Sequence, residues 1–226
     1  MYPCSFYKEF AIEKVLQDIY DSLYNQFGPQ YWWPAESSLE TIIGAILTQS
    51  VNWSNVEKAI ANLRENDLLS LTALMEVEID RLADLIRPSG YYNMKAKKLK
   101  AFLEFLELEY QGSLEVLFKE ELDNLRKKLL AVYGIGPETA DSILLYAGEY
   151  PTFVIDAYTK RIFSRMGICD GNIDYHQLQN MIMDNLHPDV EKYNEYHALL
   201  VKLAKENCKK SNPICDKCIL SGKNFV

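Results

Sequence analysis

Long apolar runs are missing from this chain. None reaches the roughly 18 residues that a membrane-spanning helix needs, so the sequence carries no transmembrane helix signal. The opening MYPCSFYKEFAIEK has no basic start leading into an apolar stretch. It therefore does not read as a secretory signal, and the expected location is the cytoplasm. Positive charge is also in deficit: 24 Lys and Arg stand against 32 Asp and Glu, a net charge of −8. Taken over the whole chain, that balance argues against a nucleic-acid partner, because phosphate contacts need Lys and Arg. β-Patterning is scarce, and only Thr152–Ile155 reads as extended. Internal repeats, low-complexity segments and obvious linkers are absent. The apolar fraction of 48% excludes a disordered chain.

What remains is helical. Glu9 to Phe27 repeats apolar residues at helical spacing: Phe10, Ile12, Val15, Leu16, Ile19 and Leu23. Ser37 or Ser38 can cap the next segment, LETIIGAILTQ, which is apolar on nearly every side and reads as a central buried helix. Further helices are expected from Asn52 or Ser54 to Asn66, over Glu78–Ile86, Asn93–Tyr110, Leu122–Val132 and Glu138–Gly148, and over Ala157–Met166, Tyr175–Leu186 and Val190–Asn207. The fold class is all-α, and 226 residues in so many helices fit two lobes.

The charge is unevenly spread. Arg87, Lys95, Lys97, Lys98 and Lys100 occur without an intervening acid, and six Lys lie between Val201 and Val226. An acidic protein with a basic face can still hold DNA. The segment LLAVYGIGPETADSILLYAG adds a second signal. Gly134 and Gly136 flank one apolar residue, Ile135, and glycine permits both positive φ and close backbone approach to a ligand. Pro137 suits the first turn of the following helix. Free N–H groups at such a turn can hold a phosphate without regard to sequence. Taken alone, the same pattern also fits an ordinary helical hairpin. Downstream, FVIDAYTKRIFSRMG places Asp156 after an apolar stretch and before a helix, where it reads locally as an N-cap.

The hairpin and the aspartate together resemble the endonuclease III superfamily of helix-hairpin-helix DNA glycosylases, over about Leu39 to Cys218. The resemblance implies a two-lobed helical protein with its active site between the lobes. Residues 1–30 and 157–226 would form one lobe, with a cysteine loop over 208–224. Residues 31–156 would form the other, with the helix-hairpin-helix over about 122–148. It implies that Gly134, Ile135, Gly136 and Thr139 contact DNA, with Lys95, Lys160 and Gln49. Gln49 would fill the gap left by a flipped base or read its orphan partner. Asp156 would be the catalytic carboxylate, stabilising an oxocarbenium-like sugar and orienting or deprotonating water. Members that also cut the strand carry a lysine nucleophile two residues after the second hairpin glycine. Here that position is Glu138, which cannot form a Schiff base.

All three Trp residues lie between positions 32 and 53. Read locally they are core aromatics or a binding cluster. A straight helix from Leu39 to Gln49 would hold the Trp32 loop and Trp53 roughly 20 Å apart, unless that loop folds back. The strings WWP, GAILTQSVNW, RPSGYYNMKAKKL and GIGPETAD resemble the 3-methyladenine DNA glycosylase III branch. That resemblance implies a base pocket of Trp32, Trp33, Pro34, Trp53 and Glu138. A cationic alkylated purine, flipped from the duplex, would lie there against aromatic faces. The implied activity is hydrolysis of the N-glycosidic bond of a damaged base in double-stranded DNA by a monomer, without lyase activity. A glycosylase and lyase for oxidised pyrimidines, and a non-catalytic damage-binding module, are the alternatives.

Five Cys are present, three of them clustered as Cys208, Cys215 and Cys218. In a reducing compartment such a cluster reads as metal ligation rather than disulfides. The spacing resembles the endonuclease III cluster loop, which implies a four-iron four-sulfur cofactor. The fourth Cys of that set falls on Asn224 here, which leaves Cys4 as a candidate fourth ligand or the position open. Zinc is the other candidate metal. Cys169 reads as a small buried hydrophobe.

Overall fold

A computed structural model of the chain describes residues 9–222, which divide into two compact units. One comprises residues 1–32 and 151–226, the other Trp33–Tyr150. The boundaries expected from the sequence lie at 30/31 and 156/157, so Asp156 now belongs with the terminal segments.

The terminal unit begins with helix α1 (Glu9–Phe27), whose residues Val15, Leu16, Ile19 and Leu23 are buried. The middle unit follows. Its α2 (Ser38–Leu47) is capped by Ser37, whose side chain accepts from the Glu40 N–H, as the serine pair predicts. α2 is buried along nearly its whole length: Ile42, Ile46 and Leu47 are fully covered. Around it come α3 (Trp53–Glu65), α4 (Leu71–Glu76), α5 (Ile79–Leu85), α6 (Tyr92–Tyr110), α7 (Leu114–Leu117), α8 (Leu122–Ala131) and α9 (Pro137–Ser142). A 3₁₀ turn at Arg87–Ser89 precedes α6, and a π turn at Ile143–Ala147 continues α9. The chain then returns to the terminal unit as α10 (Ala157–Arg165), α11 (Tyr175–Met183) and α12 (Val190–Glu206), with α12 packed on α1 and α10.

The long helices fall where the apolar periodicity puts them. α4 and α7 were not anticipated: each spans only a turn or so, capped by Ser70 and Ser113, and is too short for a period to emerge. Thr152–Ile155 does not pair as a strand, and no strand occurs among the described residues. No helix among them is long and apolar enough to cross a membrane.

One ion pair locks the two helices of the hairpin. Arg126 on α8 reaches Asp141 on α9 through both carboxylate oxygens, at 2.7 and 3.0 Å, and the Asp141 side chain is fully buried. A buried carboxylate robbed of a bidentate partner is costly. Arg126→Ala is therefore expected to lower unfolding free energy by about 3–5 kcal/mol, read by urea titration. Arg126→Lys should recover only part of the loss, since an ammonium cannot form the fork. A loss under about 1 kcal/mol in Arg126→Ala would mean that the pair behaves as a surface bridge.

Candidate functional site

The hairpin is built from backbone constraints. Gly134 has φ of 80°, a conformation that glycine adopts without penalty. Ile135 is 4% exposed and pins the turn to the core of the middle unit. Gly136 differs: its backbone is extended (φ −94°, ψ 179°), and a Cβ added there would meet nothing within 4 Å. Neither conformation nor internal packing requires glycine at 136. Pro137 opens α9 at the first turn. Thr139 is buried, and Glu138 is exposed in the first turn.

Gln49, just past the end of α2, is tied into this turn. Its Nε2 donates to the Gly134 carbonyl at 3.1 Å and to Thr139 Oγ1 at 2.8 Å, while its Oε1 accepts from Lys98 Nζ. Sequence reasoning placed Gln49 beside DNA but did not anticipate this anchoring. In the sequence Lys98 reads only as one charge in a basic run.

Lys95 points inward. It was expected to face DNA, but it is 2% exposed, and its ammonium donates to the Leu47 and Ser89 carbonyls at 2.8 and 2.6 Å. Burial, and the nearby Lys98 charge after it, push the Lys95 pKa down to about 8. The side chain caps the C-terminus of α2, where carbonyls lack helical partners. Lys100 is similarly engaged by the Leu74, Met75 and Val77 carbonyls. Lys160 donates to the Ile173 carbonyl at 3.2 Å and is half-buried.

The aromatic cluster forms within the middle unit because the loop before α2 folds back along it. The Trp33 ring meets Trp53 edge-on at 4.8 Å and stacks on Tyr146 at 5.0 Å. Gly44, midway along α2, makes room: a Cβ there would lie 3.1 Å from Trp33 and 3.3 Å from Trp53. Trp53 opens α3, and its indole N–H donates to Glu57 at 3.0 Å. Beside it lies an open cleft of about 430 Å³ bordered by Pro34, Trp53, Glu40, Glu57 and Arg64. Glu40 is paired with Arg64 at 2.9 Å. Tyr146 was not singled out from the sequence, because nothing local marks it. It sits in the π turn, a distortion common at functional sites. Trp32 belongs to the terminal unit, where the Lys205 ammonium lies 5.8 Å from its ring.

Asp156 caps α10, accepting from the Thr159 N–H at 2.7 Å. Its other oxygen lies 3.6 Å from Nε2 of His197, a buried residue of α12. Burial opposes ionisation, but the His197 and Thr159 contacts outweigh it and hold the carboxyl below its usual pKa. His197 is the partner that sequence reading missed; a single His among apolar helix residues resembles a core position.

The cysteine loop carries Cys208, Cys215 and Cys218. Cys208 and Cys218 are half-buried and Cys215 is exposed, and among the described residues no three His, Cys, Asp or Glu side chains could hold a metal ion together. Cys4 and position 224 lie outside the described residues. Backbone contacts order the loop. Arg161 donates to the Cys208 carbonyl at 2.9 Å, and Arg165 to the Lys209 and Lys210 carbonyls at 2.7 and 3.1 Å. Cys169 is buried, as a small hydrophobe would be.

Two measurements check these points. The folded-state pKa of Asp156 is depressed, so its contribution to stability is complete above the unfolded value, near 3.9, and fades as pH falls below it. The stability of wild type relative to Asp156→Asn should therefore shrink below about pH 4, read by urea unfolding across pH. A pH-independent difference would contradict the depressed value. For the loop, hydrogen exchange over residues 207–221 should accelerate in Arg165→Ala and stay unchanged in Cys215→Ser. The reverse pattern would restore a metal to the centre of the loop.

Comparison with known proteins places these features in a family. The profile described as HhH-GPD superfamily base excision DNA repair protein matches residues 43–188. A Methanocaldococcus jannaschii chain provisionally named a DNA repair glycosylase is 46% identical over 93% of this chain and 96% of its own length. Endonuclease III of Sulfolobus acidocaldarius is 28% identical over 80% of this chain and 78% of its own. Among solved structures, the 3-methyladenine DNA glycosylase of H. pylori bound to 1,N6-ethenoadenine superposes with a TM-score of 0.72 at 29% identity, covering 88% of this chain and 98% of that one. A non-covalent endonuclease III–DNA complex, at 20% identity and TM-score 0.79 over 92% of both chains, shares the fold. The chain belongs to the HhH-GPD superfamily of base excision DNA repair proteins.

Proposed function

We propose that the chain is a monofunctional DNA glycosylase that removes alkylated purines from double-stranded DNA. The observation that carries this reading is the Trp33–Trp53–Tyr146 cluster, with the Glu57 carboxylate on the Trp53 indole. Aromatic faces attract a delocalised cation by ~1–2 kcal/mol once water is excluded. Alkylation at a ring nitrogen makes a purine cationic, and thereby a good leaving group. The H. pylori relative, solved with a modified adenine, supports the choice of a purine.

In this reading the damaged nucleotide is flipped from the helix, and its base rests on aromatic rings. From the middle unit, Trp33, Pro34, Trp53 and Glu138 line the base site. The glycosidic C–N bond breaks with its electron pair leaving on the base. The sugar acquires oxocarbenium character, which Asp156 stabilises as a fixed carboxylate. Water adds to C1′, and its proton passes to Asp156 or to solvent. His197 and the Thr159 N–H hold Asp156 ionised and oriented for this role. Gly134, Ile135, Gly136 and Thr139 present the hairpin to the phosphate backbone, and Lys160 holds the loop before α11.

Glu138 supports hydrolysis without strand cutting. A carboxylate in the place of the lysine nucleophile cannot attack C1′ to give a Schiff base. Duplexes carrying single lesions test the proposal, with released bases identified and strand breaks scored separately. Release of an alkylated purine is expected, leaving an abasic strand that only alkali or heat breaks, and borohydride should trap no covalent complex. Asp156→Asn should lose more than tenfold in single-turnover rate, above ~1.4 kcal/mol, with DNA affinity retained. Efficient trapping would overturn the monofunctional assignment. Release confined to oxidised pyrimidines would overturn the substrate, and a fully active Asp156→Asn the catalytic role.

A further inference from the structure

The basic run of α6 sorts into structural and unspent charges. Lys95 and Lys100 are consumed by backbone carbonyls. Lys98 is not. Its stem lies across Gly134, so closely that a Cβ on that glycine would fall 2.6 Å from Cδ and 2.7 Å from Cε. Its ammonium meets the neutral Gln49 amide oxygen and, among the described residues, forms no ion pair with a carboxylate. Lys95 is near enough for its charge to be felt, so two cations share this corner of the middle unit. Gly136, on the same turn, leaves open space where a side chain would stand. An ammonium whose hydrogen-bond partner, among the described residues, is a neutral amide gains on meeting a phosphate, because the hydrogen bond is then joined by the attraction of opposite charges.

We propose that Lys98 is the phosphate-binding cation of the hairpin and that Gln49 is its latch. A backbone phosphate of duplex DNA draws the Lys98 ammonium away from Gln49 Oε1. Gln49 Nε2 stays on Gly134 and Thr139, so the freed oxygen is held in a set direction, ready to accept from a donor on a base edge. Phosphate contact and base contact are thereby coupled, and the Gln49 oxygen becomes available only once the backbone is seated. Lys98 and Gln49 act in positioning and binding, not in the bond-breaking step. The inference rests on the proposed function only for duplex binding, so undamaged duplex is the probe.

Each neutralised phosphate contributes about 0.9 to the slope of log affinity against log salt. Lys98→Met keeps the apolar stem over Gly134 and removes the charge; its slope on undamaged duplex should fall by about one. Lys98→Arg should restore the slope, and Gln49→Ala should leave it unchanged. In the wild-type protein, the side-chain amide resonance of ¹⁵N-labelled Gln49 should move when undamaged duplex is added. An unchanged slope in Lys98→Met, or a Gln49 resonance indifferent to duplex in wild type, overturns the latch. The second measurement stands even if the methionine variant fails to fold. A wild-type chain that binds no duplex would sink the DNA reading itself and this inference with it.

Discussion

A helix without a polar face must be enclosed on every side, and α2 is such a helix. Ile42, Ile43, Ile46 and Leu47 leave almost nothing to solvent, and each Leu or Ile of this kind contributes about 2–5 kcal/mol against truncation to Ala. The surrounding helices α3, α6 and α9 and the π turn take their places by covering it. Its enclosure brings together features far apart in the chain. The aromatic cluster closes over Gly44 in the middle of α2. The Lys95 ammonium satisfies the carbonyl of Leu47 at its end. Gln49, just beyond, grips the hairpin.

The middle unit thus has one mechanical axis running from the aromatic cluster to the glycine turn. Polar bonds at the end of an apolar helix do the connecting, and such bonds are strong where water is scarce. Two buried polar groups serve the same economy in different ways. Lys95 ends a helix without a counter-charge, and Asp141 crosses the hairpin helices with one. The terminal unit repeats the pattern in a third form. Asp156 begins α10, its charge sustained by a backbone donor and by His197 from α12.

Much of the fold was legible in the chain. Ser37 and Asp156 are N-caps by chemistry and by structure, and the long amphipathic stretches became α1, α3, α6 and α12. α4 and α7 escaped because a single capped turn has no periodicity to display. Of the candidate site, Gly134, Gly136, Gln49, Trp33, Trp53 and Asp156 were named from the sequence. Lys95 was misjudged because a lysine beside other lysines looks solvated, and only a missing set of carbonyl partners would call it inward. His197 and Tyr146 were missed because a lone His and a lone Tyr in apolar helices carry no mark of their neighbours.

The sequence by itself determined which of the longer segments are helical and where the glycine turn falls. These are properties of single positions and short spacings, and local sterics and side-chain chemistry are enough to decide them. The tertiary structure decided that Trp33 folds back onto Gly44, that Gln49 holds a turn 85 residues away, and that His197 faces Asp156. Periodicity states which face of a helix is buried but not which partner buries it. That choice is made only when all the apolar faces close at once, and the polar groups caught inside must then find one another.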